Sequence, residues 1–309
     1  MPDQQVARQD DGPAGLTDVP TGTDSFTRDY TIRAVSLDEQ DLGELFDLLA
    51  GKMAEAREIE IAAAIENQDG EEPIPRDVLE ERADRGFQIS YSIRDPSSRL
   101  GISGTGKPDL NSANVGNELG SFYLSTGERF KKNFAVLPRN CVDIFIDFKR
   151  TPMAINFLNL PSNPTENGSC LNVYGDNEQW VIATHQVLVE FFDQRKSKWG
   201  WLHGSGVYDA FIFLFIVPFL LIKAYQFETN PTSWAPVTSN VALIGIYVYA
   251  YLVAVNVGRI GFLGARWLFP TVEFISSRRT SPVKYRLLAI SVAFALLVWA
   301  LQSVISVIS

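Results

Sequence analysis

The hydrophobic and polar positions divide the chain into two regions that meet near residue 200. Before that point, apolar residues recur at the spacings of amphipathic helices and half-buried strands, with charged residues between them. After it, long apolar stretches replace this pattern, and the first occupies 210–222. Extended to 204–225, this stretch would form a helix about 33 Å long, enough for a hydrocarbon core about 30 Å thick. The pattern predicts a membrane-spanning helix directly after a soluble domain.

Two further apolar stretches predict two more transmembrane helices, at about 239–258 and 286–308. Aromatic residues flank the first stretch on both sides, as they do at the membrane–water interfaces of spanning helices. The predicted fold class is an α+β cytoplasmic domain, a largely antiparallel sheet with helices on one face, followed by an all-α transmembrane region of three helices.

Residues 26–198 have the alternation and turn signals of the α+β domain. Strands are predicted where β-branched and aromatic residues cluster or alternate with polar ones, at 30–35, 59–65, 87–93, 122–125, 141–148, 153–160 and 169–174. Helices are predicted where apolar residues recur every three or four positions, at 37–56, 77–82, 126–133 and 178–198. Ser36 is predicted to cap the first helix, with Glu39 at the capping-box position.

The remaining segments are polar or rich in glycine. Residues 1–25 hold almost no large apolar side chain, so a disordered N-terminal tail is predicted. Residues 199–206 form a juxtamembrane linker of glycine and tryptophan, and 207–309 form the transmembrane domain. The linker glycines allow two interpretations, a flexible tether or a hinge that transmits the state of the soluble domain.

The average composition conceals a difference in charge between the two regions. The whole chain is 46% hydrophobic, with a mean hydropathy of +0.02 and a net charge of −9. Residues 201–309 carry seven basic and three acidic side chains, so the first 200 residues carry the other 20 basic and 33 acidic ones. An acidic soluble domain argues against a nucleic-acid partner, because such binding depends on Lys and Arg contacts to phosphates.

Basic residues beside the apolar stretches predict the orientation, because cytoplasmic loops carry an excess of Lys and Arg. The predicted loop between the second and third helices carries six basic residues, and the soluble domain ends with a basic cluster. Both should face the cytoplasm in a multi-pass protein of the cell or inner membrane, with Ser309 outside. The candidate lipid-headgroup residues are Arg195, Lys196, Lys198, Arg278, Arg279, Lys284 and Arg286.

Motifs for catalysis are weak. Residues 101–107 match the first seven positions of a phosphate-binding P-loop, but Pro108 stands where the motif needs Ser or Thr for Mg²⁺. The preferred interpretation of this segment is a flexible glycine loop. His185 and His203 have no Cys or carboxylate at ligand spacing. His203 is expected at the level of the lipid headgroups. No catalytic residue, metal site or cofactor is predicted.

The predicted transmembrane region offers more candidates for function. Pro218 lacks the N–H that would bond to Leu214 and should bend the first helix. Ala250, Ala254 and Gly258 form a ridge of small residues suited to helix packing. The candidate coupling or pore residues are Asp209, Pro218, Tyr247, Tyr251, Gln302 and Ser306. Asp209 has two interpretations, a solvated interfacial carboxylate or a paired, functional one.

The first functional hypothesis is a non-enzymatic integral membrane protein. Its cytoplasmic domain would bind a protein or small-molecule partner, and its helices would contact lipid and form a homo-oligomer. The alternative is a pore-forming or membrane-disrupting effector, as in prokaryotic defence, gated by the cytoplasmic domain; there Gln302 and Ser306 would line a wet path. A membrane-tethered enzyme is the third hypothesis.

Overall fold

The computed structural model describes residues 25–66, 74–95, 101–110, 119–150, 162–218, 220–221, 225, 240–276, 287–289 and 291–292. The strands are β1 (Phe26–Thr31), β2 (Val35–Asp38), β3 (Ser90–Arg94), β4 (Gly101–Thr105), β5 (Ser121–Ser125), β6 (Asn140–Asp147), β7 (Cys170–Gly175) and β8 (Val272–Ile275). The α-helices are α1 (Glu39–Glu66), α2 (Arg76–Gly86), α3 (Glu128–Phe134), α4 (Glu178–Gln194), α5 (Val207–Phe211) and α6 (Asn240–Leu268).

Six strands form one antiparallel sheet, in the order β1-β7-β6-β5-β3-β4. At its centre, Ile144 of β6 lies opposite Leu124 of β5 and Leu171 of β7. All three side chains are fully buried, because residues directly opposite one another share one face of the sheet. Helices α1 and α4 complete this core with residues such as Leu45 and Leu188. The prediction of an antiparallel sheet packed with helices in an α+β domain is confirmed.

Helix α1 is longer than predicted and replaces a predicted strand. Residues 59–65, expected to form a strand, are the end of α1, which continues to Glu66. Alanine is the strongest helix former, and the three alanines at 62–64 outweigh the β-branched isoleucines around them. Ile61 is buried in the main core and Arg57 forms an ion pair with Asp84 of α2. Burial of one face therefore stabilises the added turns.

The start of α1 also differs from the prediction. Ser36 is not the capping residue, because it lies within β2. Instead the Asp41 amide donates to Asp38 Oδ1 at 2.8 Å, and the Asp38 amide donates to Asp41 Oδ2 at 3.0 Å. This reciprocal pair satisfies two donors at the helix start, as a capping box does. The strand predicted at 30–35 is divided by a turn at Ala34, whose φ is 57°.

A second, two-stranded sheet joins the α+β domain to the segment that follows α6. Strands β2 and β8 run parallel, with Val35 opposite Val272 and Leu37 opposite Phe274. Leu37 and Val272 are buried in the main hydrophobic core. β2 also pairs with the chain at Lys196, just beyond α4. The end of the α+β domain and the end of α6 therefore contact the same short strand.

Among the described residues, one helical stretch, Ile244–Leu268 within α6, is long and apolar enough to cross a membrane. α6 continues ten residues beyond the predicted end at 258, so the prediction of a loop there is wrong. The first predicted span is helical at 207–218, 220–221 and 225.

Several predicted segments lie outside the described residues. They are the tail up to residue 24, the strand at 153–160 and most of the third span, of which 287–289 and 291–292 are helical.

Candidate membrane-coupling site

The candidate site is the junction where the α+β domain meets the apolar helices. We call it the coupling site; it comprises residues 162–165, 199–209 and 259–276. The predicted linker is packed there as a 3₁₀ helix, Gly200–His203, followed by α5. A Cβ at Gly200 would overlap Ala34, and Gly206 has a φ of +72°, a region that glycine adopts readily. These glycines serve close packing and a tight turn, which does not fit a flexible tether.

His203 connects this 3₁₀ helix to the end of α6. Its Nε2 lies 2.6 Å from the carbonyl oxygen of Phe269, and its Nδ1 lies 2.9 Å from the hydroxyl of Thr165. A carbonyl only accepts, so Nε2 donates and Nδ1 accepts from Thr165 in the neutral ring. Burial lowers the pKa of His203 below 6.5, which favours that neutral form. His203, expected at the headgroups, is instead buried in the junction.

Two arginines of α6 point into the protein. Arg266 donates to the carbonyl oxygens of Leu202 at 2.9 Å, Asn163 at 3.1 Å and Gly204 at 3.3 Å. Arg259 lies two turns earlier on the same face of the helix and is also buried. Because both charges face inward, the outward surface of α6 stays apolar. The helix therefore continues beyond residue 258, where the basic residues had predicted a loop.

Asp209 lies at the same level, near the start of α5. Its side chain is half-buried, and Oδ1 accepts a hydrogen bond from the hydroxyl of Ser162 at 2.7 Å. The Gly206 amide donates to the carbonyl oxygen of Ser162 at 3.0 Å. Of the two interpretations of Asp209, this geometry favours a partnered carboxylate over a freely solvated one.

The chain after α5 contacts α6 closely. Residues Ile212–Ile216 form a π-helical turn, in which the Val217 amide donates to the carbonyl oxygen of Ile212. This wider turn directly precedes Pro218, whose ring would clash with a carbonyl in a regular α-helix. A Cβ at Gly258 of α6 would overlap Ile216. Gly258 of the predicted small-residue ridge therefore lies at a helix–helix contact.

The rest of α6 exposes apolar side chains. Only 11% of the apolar window in Ile244–Leu268 is buried. Tyr247 is half-buried and Tyr251 is exposed, whereas Gln302 and Ser306 lie outside the described residues. The exposed apolar side chains include Ile244, Ile246, Val248, Leu252, Val253, Val257 and Ile260.

Two of the predicted lipid-headgroup residues have partners within the protein. Arg195 forms ion pairs with Asp41 and Glu44 of α1 and stacks 3.7 Å over the ring of Phe191, so it holds α4 against α1. Lys196 pairs with Asp193 at 2.8 Å. Lys198 is exposed, and the others, Arg278, Arg279, Lys284 and Arg286, lie outside the described residues.

A buried polar cluster occupies the other face of the main sheet. Asp143 of β6 accepts hydrogen bonds from Tyr123 at 3.3 Å and Tyr174 at 3.1 Å, on the two flanking strands. Burial raises the pKa of Asp143 and that of the neighbouring Cys141 thiol. A buried, protonated thiol is a poor nucleophile, and the hydroxyls of Tyr123 and Tyr174 already occupy the Asp143 carboxyl group. The cluster has the character of a structural network.

The segment that resembles a P-loop is an edge strand. Residues 101–105 form β4, paired with β3, instead of the glycine loop that was expected. Gly106 has a φ of +86°, and Lys107 forms an ion pair with Asp47 of α1 at 2.6 Å. Since Lys107 contacts a carboxylate and the glycines hydrogen-bond within a sheet, the geometry does not match a phosphate-binding loop.

A cleft of about 420 Å³ opens at the end of the sheet farthest from the coupling site. β1 begins there at Phe26 and ends at Thr31, near the coupling site. Asn177 caps α4 beside the cleft by accepting a hydrogen bond from the Trp180 amide at 3.0 Å. The lining includes Phe26, Ile59, Arg139, Asn140, Asp176 and Asn177. This cleft offers polar groups of both charges to a small molecule or peptide.

No family model, curated protein or solved structure matches the chain. Function therefore has to be inferred from the arrangement of the residues. Among the described residues, no group of three or more His, Cys, Asp or Glu side chains is placed to hold a metal ion. The coupling site, with its exposed apolar helix, is the feature of the structure that points most directly to a role.

Proposed function

We propose that the protein is an integral membrane protein whose cytoplasmic domain binds a partner or signal and is coupled to an oligomerising transmembrane region, without catalysis. The observation that carries the proposal is the exposed apolar surface of α6, which continues for several helical turns. A contiguous apolar surface of this length is unfavourable in water, whereas lipid or a second apolar helix can cover it.

The arrangement of the coupling site supports a mechanical connection between the two regions. β8 follows α6 within four residues and pairs with β2 inside the soluble domain. Arg266 binds the carbonyl oxygens of Leu202 and Gly204, on the segment that enters α5, and that of Asn163, on the segment before β7. A displacement of the soluble domain would therefore move both ends of the helical region together.

The same pairing supports the proposed orientation. The chain leaves the soluble domain at α5 and returns to it at β8, so an even number of crossings between them satisfies both contacts. The basic residues that follow β8, beginning with Arg278, would then lie on the same side as the soluble domain. By the positive-inside rule, that side is the cytoplasm.

The distal cleft supports a role in binding. Helix α4 has 17 residues, so it spans about 26 Å from the cleft at Asn177 towards β2. Arg195, at the end of α4, contacts both α1 and the backbone of Ser36 in β2. A ligand in the cleft would contact one end of a helix whose other end lies beside the coupling site.

Extraction of the full-length chain from membranes tests insertion. We expect the protein to remain in the membrane fraction after an alkaline carbonate wash. Replacing Val248 and Leu252 together by Arg should release it, since Arg at the centre of a spanning helix costs about 2.5–3.5 kcal/mol on insertion scales.

The matched control places the same two charges on exposed apolar residues of the soluble domain. The variant Ile182→Arg with Val136→Arg should stay with the membrane, because both side chains are exposed outside the apolar helices. Extraction of the wild type into the soluble fraction would contradict the proposal. Ion flux in liposomes that is lost in Gln302→Leu and Ser306→Leu would favour the pore-forming alternative.

A further inference from the structure

Three exposed tryptophans lie at one level around the base of α6. Trp199 stacks on Phe269 with ring centroids 4.2 Å apart, and Trp267 is two residues before Phe269. Trp201 belongs to the 3₁₀ helix to which Arg266 donates hydrogen bonds. Trp199 is 43% exposed, Trp267 is 36% exposed and Trp201 is 59% exposed. We call these three residues the tryptophan belt.

The belt lies where a membrane surface would be if α6 spans the bilayer. The stretch from Ile244 to Trp267 has 24 residues, about 36 Å of helix, slightly more than the hydrocarbon thickness of about 30 Å. Indole rings concentrate at the headgroup level, because one end of the ring is apolar and the other carries an N–H donor. The belt therefore marks the cytoplasmic surface for the proposed orientation.

Basic side chains accompany the belt. The guanidinium carbon of Arg150 lies 5.2 Å from the centroid of the Trp267 ring, a cation–π distance. Lys198 is exposed directly before Trp199, and Lys149 is exposed next to Arg150. Ring contact orients the planar guanidinium, which donates in pairs to phosphate oxygens. Aromatic and cationic groups are thus placed together at the expected level of lipid phosphates.

We propose that Arg150 and Lys198, with the tryptophan belt, bind the headgroups of anionic phospholipids. The inference rests on the proposed membrane insertion and deepens it by naming the lipid class. An anionic headgroup such as that of phosphatidylglycerol complements the positive charges of Arg150 and Lys198, whereas zwitterionic phosphatidylcholine gives no net attraction. Arg195 and Lys196 do not belong to this site, because carboxylates of the protein already bind them.

Energy transfer from tryptophan to labelled lipid tests the site. The full-length chain is reconstituted in phosphatidylcholine vesicles that contain a small fraction of dansyl-labelled phosphatidylglycerol or dansyl-labelled phosphatidylcholine. The wild type should associate preferentially with the anionic label. Arg150→Gln should reduce that preference about five-fold, the equivalent of about 1 kcal/mol for one basic residue at the surface. Trp267→Leu, which keeps the charge and removes the ring, should reduce it less.

The matched control is Arg85→Gln, which makes the same charge change on exposed α2, away from the belt. It should keep the wild-type preference. The proposal is overturned if the inserted wild type shows equal transfer to both labels, or if Arg150→Gln and Arg85→Gln behave alike. A wild type that fails to float with either vesicle would contradict membrane insertion and, with it, this site.

Discussion

At the scale of single residues, His203 connects protonation to the stability of the coupling site. Its folded-state pKa is lowered by burial, so the unfolded chain binds the proton more tightly than the folded one. The stability that neutral His203 contributes is then fully present above about pH 6.5, and it is lost as the pH falls through the lower pKa of the folded state. Protonation also turns Nδ1 from an acceptor into a donor facing the Thr165 hydroxyl.

The variant His203→Gln isolates this effect. Its side-chain amide can donate to the Phe269 carbonyl but does not titrate. We expect it to be less stable than the wild type by about 1 kcal/mol at pH 7.5, the net value of a hydrogen bond. The difference should shrink or reverse by pH 5.5. Denaturant unfolding in detergent, followed by tryptophan fluorescence, measures both values; parallel pH profiles for the two proteins would contradict the assignment.

The residues that carry the coupling site were only partly predictable. Asp209 was identified because a carboxylate beside an apolar stretch is unusual, and its partner Ser162 lies 47 residues away, beyond any local pattern. The number of basic residues after 258 predicts a loop that contains Arg259 and Arg266. A count of charges does not show whether a side chain points towards solvent or into the protein. Their spacing of seven residues, with Phe262 on the same face, was a signal for a helix with one inward polar edge.

At the scale of elements, the contact between the two apolar helices depends on Gly258. A Cβ at Gly258 would overlap Ile216, whereas Gly261 has no atom within 4 Å of that position. Gly258→Leu should lower the thermal stability of the helical region, because overpacking costs about 1–3 kcal/mol. Gly261→Leu makes the same change in helix propensity and hydropathy and should leave stability unchanged or raise it. Thermal unfolding in detergent compares them; equal losses would refute the contact.

Elements with a strong local pattern were predicted and those that depend on distant partners were not. The strands at 122–125, 141–148 and 169–174 matched β5, β6 and β7 within a few residues, because each has a buried apolar face. β8 was missed although Val272 to Ile275 is β-rich, because four residues between two predicted spans give little periodicity. The end of α1 was missed because its isoleucines favour a strand, whereas the alanines at 62–64 and the burial of Ile61 favour the helix.

At the scale of the whole molecule, β2 is where the α+β domain and the helical region meet. It pairs with β8 on one side and contacts Lys196 on the other. The Ser276 hydroxyl donates to Glu39 at 2.9 Å, so the first turn of α1 belongs to the same junction. The two regions identified from hydropathy are therefore not independent units. Hydropathy does not predict this connection, because β2 lies in one region and its partner strand β8 lies in the other.

This junction predicts that one buried charge in β8 separates the two regions. Val272 is 1% exposed and Ile275 is 39% exposed on the same strand. Val272→Asp buries a carboxylate among apolar side chains, at a cost of several kcal/mol, whereas Ile275→Asp leaves its charge in water.

Trypsin should therefore cleave Val272→Asp after Lys196 and Lys198 at least about ten-fold faster than the wild type or Ile275→Asp, as expected for a loss of about 1.4 kcal/mol. Cleavage after Arg57, in the middle of α1, distinguishes unfolding of the whole domain from separation. It should stay slow if the helical region detaches while the sheet remains folded, because Arg57 is held in an ion pair with Asp84 of α2. Equal cleavage of the two variants would show that the β2–β8 pairing does not hold the regions together.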